Sequence, residues 1–216
     1  LNDSVVQRSF VATGGTVLAS KLAINSGLAC NTAGGSHHAS FNEGAGFCVF
    51  NDVAVGAKYL QKKGYARKIL IVDLDVHQGN GTANIFKDDN SVFTFSMHCK
   101  SNYPAKKARS DLDVELEDNL EDKEYLETLK KYLFYLNDET FDFVYYIAGV
   151  DIHHDDRLGK LKISDDGIKT RDQLVINNFY KKKIPLCGVL GGGYNKDFNK
   201  LIELHSMLHK SCAEII

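Results

Sequence analysis

The feature that most constrains this chain is a set of short, continuous apolar runs rich in β-branched residues: Lys68 to Leu74, Ser91 to Met97, Phe141 to Ala148 and Ile184 to Leu190. A strand with one wet face alternates polar and apolar residues, whereas a run apolar at nearly every position suits a strand buried on both faces. Helical patterns separate these runs. One spans about Thr13 to Ser26, with Val17, Leu18, Leu22 and Ala23 as its apolar positions and Gly27 as its stop. Asn51 is placed to N-cap a second through Lys63, stopped at Gly64. Further helices are expected at Asp122–Leu136, at Ser164–Lys182 and from about Lys196 onward, and Leu28 to Ala33 reads as a short extended run. The acidic stretch Asp111–Asp122 reads as a surface connection. Alternating β and α units predict an α/β fold: a parallel sheet flanked by helices on both faces. Repeats, low-complexity tracts and linkers are absent, so residues 1–216 read as one domain.

In such sheets ligands bind beyond the carboxyl ends of the strands. That rule demands polar residues just after each strand, and the sequence supplies them: Gly34 to His38, Asp75 and His77, His98, Gly149 to Asp151, and Gly191 to Tyr194. Composition narrows the partners. Lys plus Arg is 26 against 28 Asp plus Glu, a formal net charge of −2, so the basic excess of a phosphate-neutralising nucleic-acid binder is missing. No apolar run has the length of a membrane span, and no signal-peptide pattern opens the chain. Cys30, Cys48, Cys99, Cys187 and Cys212 are odd in number and never in C-x-x-C spacing, which favours a reducing compartment: the cytoplasm, or the nucleus in a eukaryote.

The strongest local signal is Asp73-Leu-Asp75-Val-His77 behind a buried run. In an extended segment the three polar side chains project to one side, where they would desolvate and repel one another unless a cation joined them. Asp151 closes another buried run, and Asp75, His77 and Asp151 together leave a coordination position open, the pattern of a catalytic zinc site that would also accept Fe(II). Beside such a site, the adjacent His37 and His38 offer one group to activate water and one to handle the leaving group's proton, and Asp73 could orient one of them. A surface pair is the plainer reading of two neighbouring histidines. Gly191 to Gly193 lack phosphate-loop spacing; they are expected to turn the chain sharply so that Tyr194 aims a hydroxyl donor at an oxyanion.

Taken together, the motifs resemble the histone deacetylase family within the arginase/deacetylase fold. The matching stretches are G-G-S-H-H-A-S (34–40), G-F-C-V-F-N-D (46–52), D-L-D-V-H-Q-G-N-G (73–81), A-G-V-D (148–151), D-R-L-G (156–159) and G-G-G-Y (191–194). Gln78, Asn80, Leu158 and the early G-G-T-V-L-A-S-K-L-A (14–23) are most like class IV members. The resemblance implies Asp75, His77 and Asp151 as ligands of zinc (or Fe2+), His37 and His38 as the catalytic pair, and Tyr194 as oxyanion donor. It implies Asp73 behind His37, Asn80 behind His38, and Phe47, Leu158 and Tyr103 as walls of an acyl channel. It also implies a structural K+ near Asp73, Asp75 and Ser96. Family members carry a substantial segment before the first helix of this chain, so the domain is expected to lack its N-terminal part.

The implied activity is hydrolysis of an Nε-acyl-lysine in a protein or peptide. The rivals are deacylation of a small amine such as an acetylated polyamine, with the same machinery, and a catalytically inactive binding module. A two-manganese ureohydrolase ranks below both, because Gly79 and His153 stand where that chemistry wants Asp.

Overall fold

A computed structural model describes residues 2–215. Its centre is a six-stranded sheet, with β1 Leu28–Cys30, β2 Ile69–Asp73, β3 Val92–Cys99, β4 Leu112–Leu116, β5 Phe143–Ile147 and β6 Leu186–Val189. Every pairing is parallel, in the order β1-β6-β5-β2-β3-β4. Six helices cover it: α1 Asp3–Ser26, α2 Asp52–Lys62, α3 Asn80–Phe86, α4 Asp122–Leu136, α5 Asp165–Tyr180 and α6 Phe198–Ala213. The expected α/β architecture is present.

Alternate residues of the buried strands feed two cores, as a period of two requires. Ile69, Ile71, Phe143, Tyr145 and Ile147 pack with Ala23, Val53 and Leu60 of α1 and α2 on one face. Leu70, Val72, Val144, Tyr146 and Leu186 pack with Leu129, Val175 and Leu208 of α4, α5 and α6 on the other. Side-chain caps start α2 and α5: Asn51 accepts from the Ala54 N–H at 3.0 Å, and Ser164 from the Gly167 N–H at 3.1 Å. Gly27, at φ 82°, ends α1 in the left-handed conformation.

Four expectations need correction. The acidic stretch 111–122 contains β4, an edge strand whose Val114 and Leu116 are buried while Glu115 faces water. Acidic side chains on an edge strand discourage pairing with other chains, which is why the segment reads as solvent-facing. α3 carries only seven residues, two turns with no side-chain cap, and had no expected counterpart. α1 begins at Asp3, ten residues before the expected start, on an Asn2 cap. Its buried face is Thr16, Ala19, Ser20 and Ala23, whereas Leu18 and Leu22 are exposed. Small residues let α1 approach the sheet closely, and Ser20 hydrogen-bonds the Tyr145 hydroxyl at 2.8 Å. Finally, His98 lies inside β3, not beyond it.

β2 and β5 are neighbours in the sheet although β3 and β4 lie between them in sequence. The chain winds outward from β2 through β3 to β4, then returns to β5 and β6. This is the topological switch point, where loops diverge and leave a crevice. The loops after β2 and β5 carry Asp75, His77 and Asp151 into it.

Candidate active site

β2 ends at Asp73, so Asp73, Asp75 and His77 do not lie along one extended strand as expected; a turn brings the latter two back together. His77 Nδ1 lies 3.1 Å from Asp75 Oδ1 and 3.1 Å from Asp151 Oδ2. One donor atom from each of these residues falls within 4.8 Å of the others. The second oxygen of each carboxylate is held by backbone: Asp75 Oδ2 accepts from the Gly192 N–H at 2.6 Å, and Asp151 Oδ1 from the Val76 N–H at 2.9 Å. All three residues are buried.

Burial and the facing Asp75 push the Asp151 carboxyl up to about 7. Burial opposes charge on His77 too, but Asp151 and Asp75 outweigh it and lift the imidazole to about 10. The two buried carboxylates thus favour positive charge between them. One imidazole and two carboxylates converging in the interior fit a divalent ion, which would provide that charge.

His37 and His38 are buried beside this trio, which rules out the surface-pair reading. Their Nε2 atoms are 3.2 Å apart, and their outer nitrogens have different supports. His37 Nδ1 sits 2.6 Å from Asp73 Oδ2, whereas His38 Nδ1 sits 2.7 Å from Asn80 Oδ1, the first residue of α3. Burial resists charge on His37, but Asp73 and Asp75 prevail and raise it to about 9. Burial and the neighbouring His37 lower His38 to about 3, and the Asn80 amide only partly offsets this. Two adjacent imidazoles are therefore split into one charged and one neutral. With Asn80 Oδ1 accepting, His38 carries its proton on Nδ1, and its Nε2 lone pair faces His37 Nε2 at 3.2 Å.

Above the trio opens a cavity of about 420 Å³ walled by Phe47, Tyr103, Leu158 and Tyr194, with His38 and His77 at its floor. The Tyr103 ring meets His38 edge-on at 4.8 Å, and the Phe47 and Tyr194 rings are 6.0 Å apart. Phe47 is 89% exposed and stands at φ 66°, an unfavourable backbone angle for an aromatic residue that nothing in the apolar core requires. Burial and the carboxylates of Asp75 and Asp151 hold the Tyr194 phenol above its ordinary range, so it remains a hydrogen-bond donor. The glycines before it act differently than expected. Only Gly191 takes a positive φ, 82°, whereas a side chain on Gly192 would collide with the carboxylates of Asp75 and Asp151. Ser96 lies opposite Asp73 in the sheet and contacts His98 Nδ1 at 2.9 Å.

Several residues that position the site carried no signal in the sequence. Asp52 on α2 accepts from the N–H groups of Gly35 and Ser36 and from Thr16 Oγ1, so it fixes the loop leading to His37. Asp156 accepts from Leu158 N–H at 2.8 Å and Tyr194 N–H at 2.6 Å, which joins two walls of the cavity. Asn102 Nδ2 donates to the Leu158 carbonyl at 2.7 Å. Under the β5 loop, the fully buried Arg171 donates Nη1–H to the Gly149 carbonyl and Nε–H to Asp172 Oδ1 at 3.0 Å. Of these, only Asp52 and Asp156 belong to motif stretches, where their roles could have been sought. His153 is buried and bonded to Asp165 at 2.9 Å, tying the β5 loop to α5.

The Histone deacetylase domain family matches residues 1–207. The chain is 50% identical over 212 residues to an uncharacterized protein of Picosynechococcus sp., covering 98% of this chain and 71% of that one. It is 39% identical over 194 residues to histone deacetylase 2 of Arabidopsis thaliana, covering 88% of this chain and 50% of that protein. Among solved structures, the HDA15 HD domain superposes with a TM-score of 0.78 at 26% identity, covering 96% of this chain and 62% of that one. The chain therefore spans half to about 71% of these relatives.

Proposed function

This chain belongs to the histone deacetylase family, and from that premise we propose that it is a zinc-dependent amidohydrolase acting on Nε-acyl-lysine. The observation that supports the reading best is the convergence of three buried ligand-type side chains, Asp75, His77 and Asp151, beside the imidazoles of His37 and His38, themselves 3.2 Å apart, at the base of an apolar-walled cavity.

Asp75, His77 and Asp151 would hold the divalent ion, which when bound supplies Lewis-acid polarisation of the acyl carbonyl and acidification of water. The remaining chemistry belongs to side chains. Phe47, Tyr103 and Leu158 flank the substrate's apolar portion and exclude water from the floor of the cavity. Tyr194 donates its hydroxyl proton in a hydrogen bond to the carbonyl oxygen as that oxygen gains charge. His38, neutral, accepts a proton from the attacking water at Nε2 and returns it to the departing amine nitrogen. His37 keeps its proton through Asp73 and stabilises developing negative charge without giving the proton away. Asp73, Asp75 and Ser96 would hold K+ as a structural ion.

The test is turnover of an acetyl-lysine peptide and of a mono-acetylated diamine, with His38→Ala as control. Turnover of the peptide, abolished in His38→Ala, supports the reading. Exclusive turnover of the small amine would replace the substrate assignment, and no turnover of either by metal-loaded protein would favour a binding module.

A further inference from the structure

Cys30 at the end of β1 and Cys212 in the last turn of α6 are 182 positions apart in sequence, yet their sulfurs are 3.0 Å apart. A disulfide bond measures about 2.05 Å, so roughly 1 Å of approach separates contact from bond. Room for the pair exists because position 188 is glycine: a Cβ there would come within 2.9 Å of Cys30 Sγ and 3.3 Å of Leu208. The other cysteines are placed differently. Cys187 belongs to the core on the opposite face of the sheet, packed with Ile147 and Val189. Cys48 Sγ donates to the Gly46 carbonyl, and Cys99 Sγ contacts Asp118. Cys30 is half-buried and Cys212 is buried, so an oxidant meets Cys30 first. The hydrogen bond to Cys30, together with burial, keeps the Cys212 thiol protonated.

We propose that Cys30 and Cys212 form a reversible redox site that closes into a disulfide on reaction with hydrogen peroxide, joining β1 to α6. In the first step Cys30 sulfur attacks the peroxide, forming an S–O bond as the O–O bond breaks, and the departing hydroxide takes the Cys30 proton and leaves as water. In the second, Cys212 sulfur attacks Cys30 sulfur, the S–O bond breaks, and hydroxide takes the Cys212 proton and leaves as water. Two thiols lose two electrons and two protons, and one peroxide becomes two waters. The bond would tie the strand that leads to His37 and His38 to the helix that follows Tyr194.

The experiment is hydrogen peroxide treatment of the whole chain, then alkylation under denaturing conditions and peptide mapping with and without dithiothreitol. The expected result is a peptide pair joining Cys30 to Cys212, cleaved by dithiothreitol, absent from Cys30→Ser and retained in Cys187→Ser. In Cys212→Ser the same treatment should leave a Cys30 sulfenic acid trapped by dimedone. Closing so long a loop should also raise the Tm of the oxidised wild type by several degrees over the reduced form. A Cys30–Cys187 link, an intermolecular link, both thiols still open to alkylation, or a lowered Tm on oxidation would each overturn the proposal.

Discussion

Replacing Arg171 with Met should destabilise the chain far more than a surface change would, because the guanidinium is fully buried and satisfies three groups at once. It donates to the carbonyls of Gly149 and Ala148 and pairs with Asp172 at 2.8 Å, while Tyr146 donates its hydroxyl to the same Asp172 oxygen at 2.5 Å. Arg171→Met leaves a buried carboxylate without its cation, and breaking a buried pair on one side costs about 3–5 kcal/mol. A folded domain holds only about 5–15 kcal/mol in total. The double variant Arg171→Met/Asp172→Leu removes both charges and leaves chiefly the Gly149 carbonyl and the Tyr146 hydroxyl unpaired, about 1–3 kcal/mol each, whereas each single variant strands a buried charge at about 3–5 kcal/mol. The two substitutions should therefore couple by at least about 2 kcal/mol in a double-mutant cycle measured by urea unfolding. Because Gly149 lies two residues before Asp151, Arg171→Met should also weaken divalent-ion affinity. A single-variant cost below about 1 kcal/mol, or a double variant as unstable as the sum of the singles, would refute the reasoning.

Tyr194→Phe should lower kcat by about 10²–10³ with KM, Tm and metal content little changed, since its hydroxyl acts on developing charge; stopped assays and thermal scans check this. Asn80→Asp places a carboxylate 2.7 Å from His38 Nδ1 and should raise the pKa of that imidazole from about 3 to roughly 4–6. His38 must be neutral to accept a proton, so activity is lost below its pKa, and the acid limb of kcat/KM should move to higher pH by the same amount. An unmoved limb in a profile from acidic to neutral pH would exclude His38 as base. Leu158→Arg should abolish turnover of long acyl groups while leaving metal content intact, as an acyl-chain series would reveal.

The buried strands β2, β3, β5 and β6 were legible because strands covered on both faces are apolar at successive positions, a pattern that exposed segments lack. β4 was not, because its alternation of Asp113, Val114, Glu115 and Leu116 is short and acidic, as suits an edge. α1 was legible as a helix but not by its buried face: Thr16 and Ser20 face inward because their hydroxyls bond Asp52 and Tyr145, which hydrophobicity alone does not reveal. In the candidate site, residues beyond strand ends were conspicuous as polar breaks in apolar runs. Arg171 and Asp172 were invisible for the opposite reason, since charged residues in a helix ordinarily face water.

On the proposed reading, Asp75, His77 and Asp151 form one divalent-ion site that the chemistry needs. Elemental analysis of purified wild type and Asp151→Asn, on the same samples assayed with an acyl-lysine peptide, tests it most directly. One divalent ion per chain in wild type, with both metal and turnover lost in a folded Asp151→Asn, is the predicted result. Full turnover by metal-free protein, or unchanged occupancy and activity in Asp151→Asn, would contradict it.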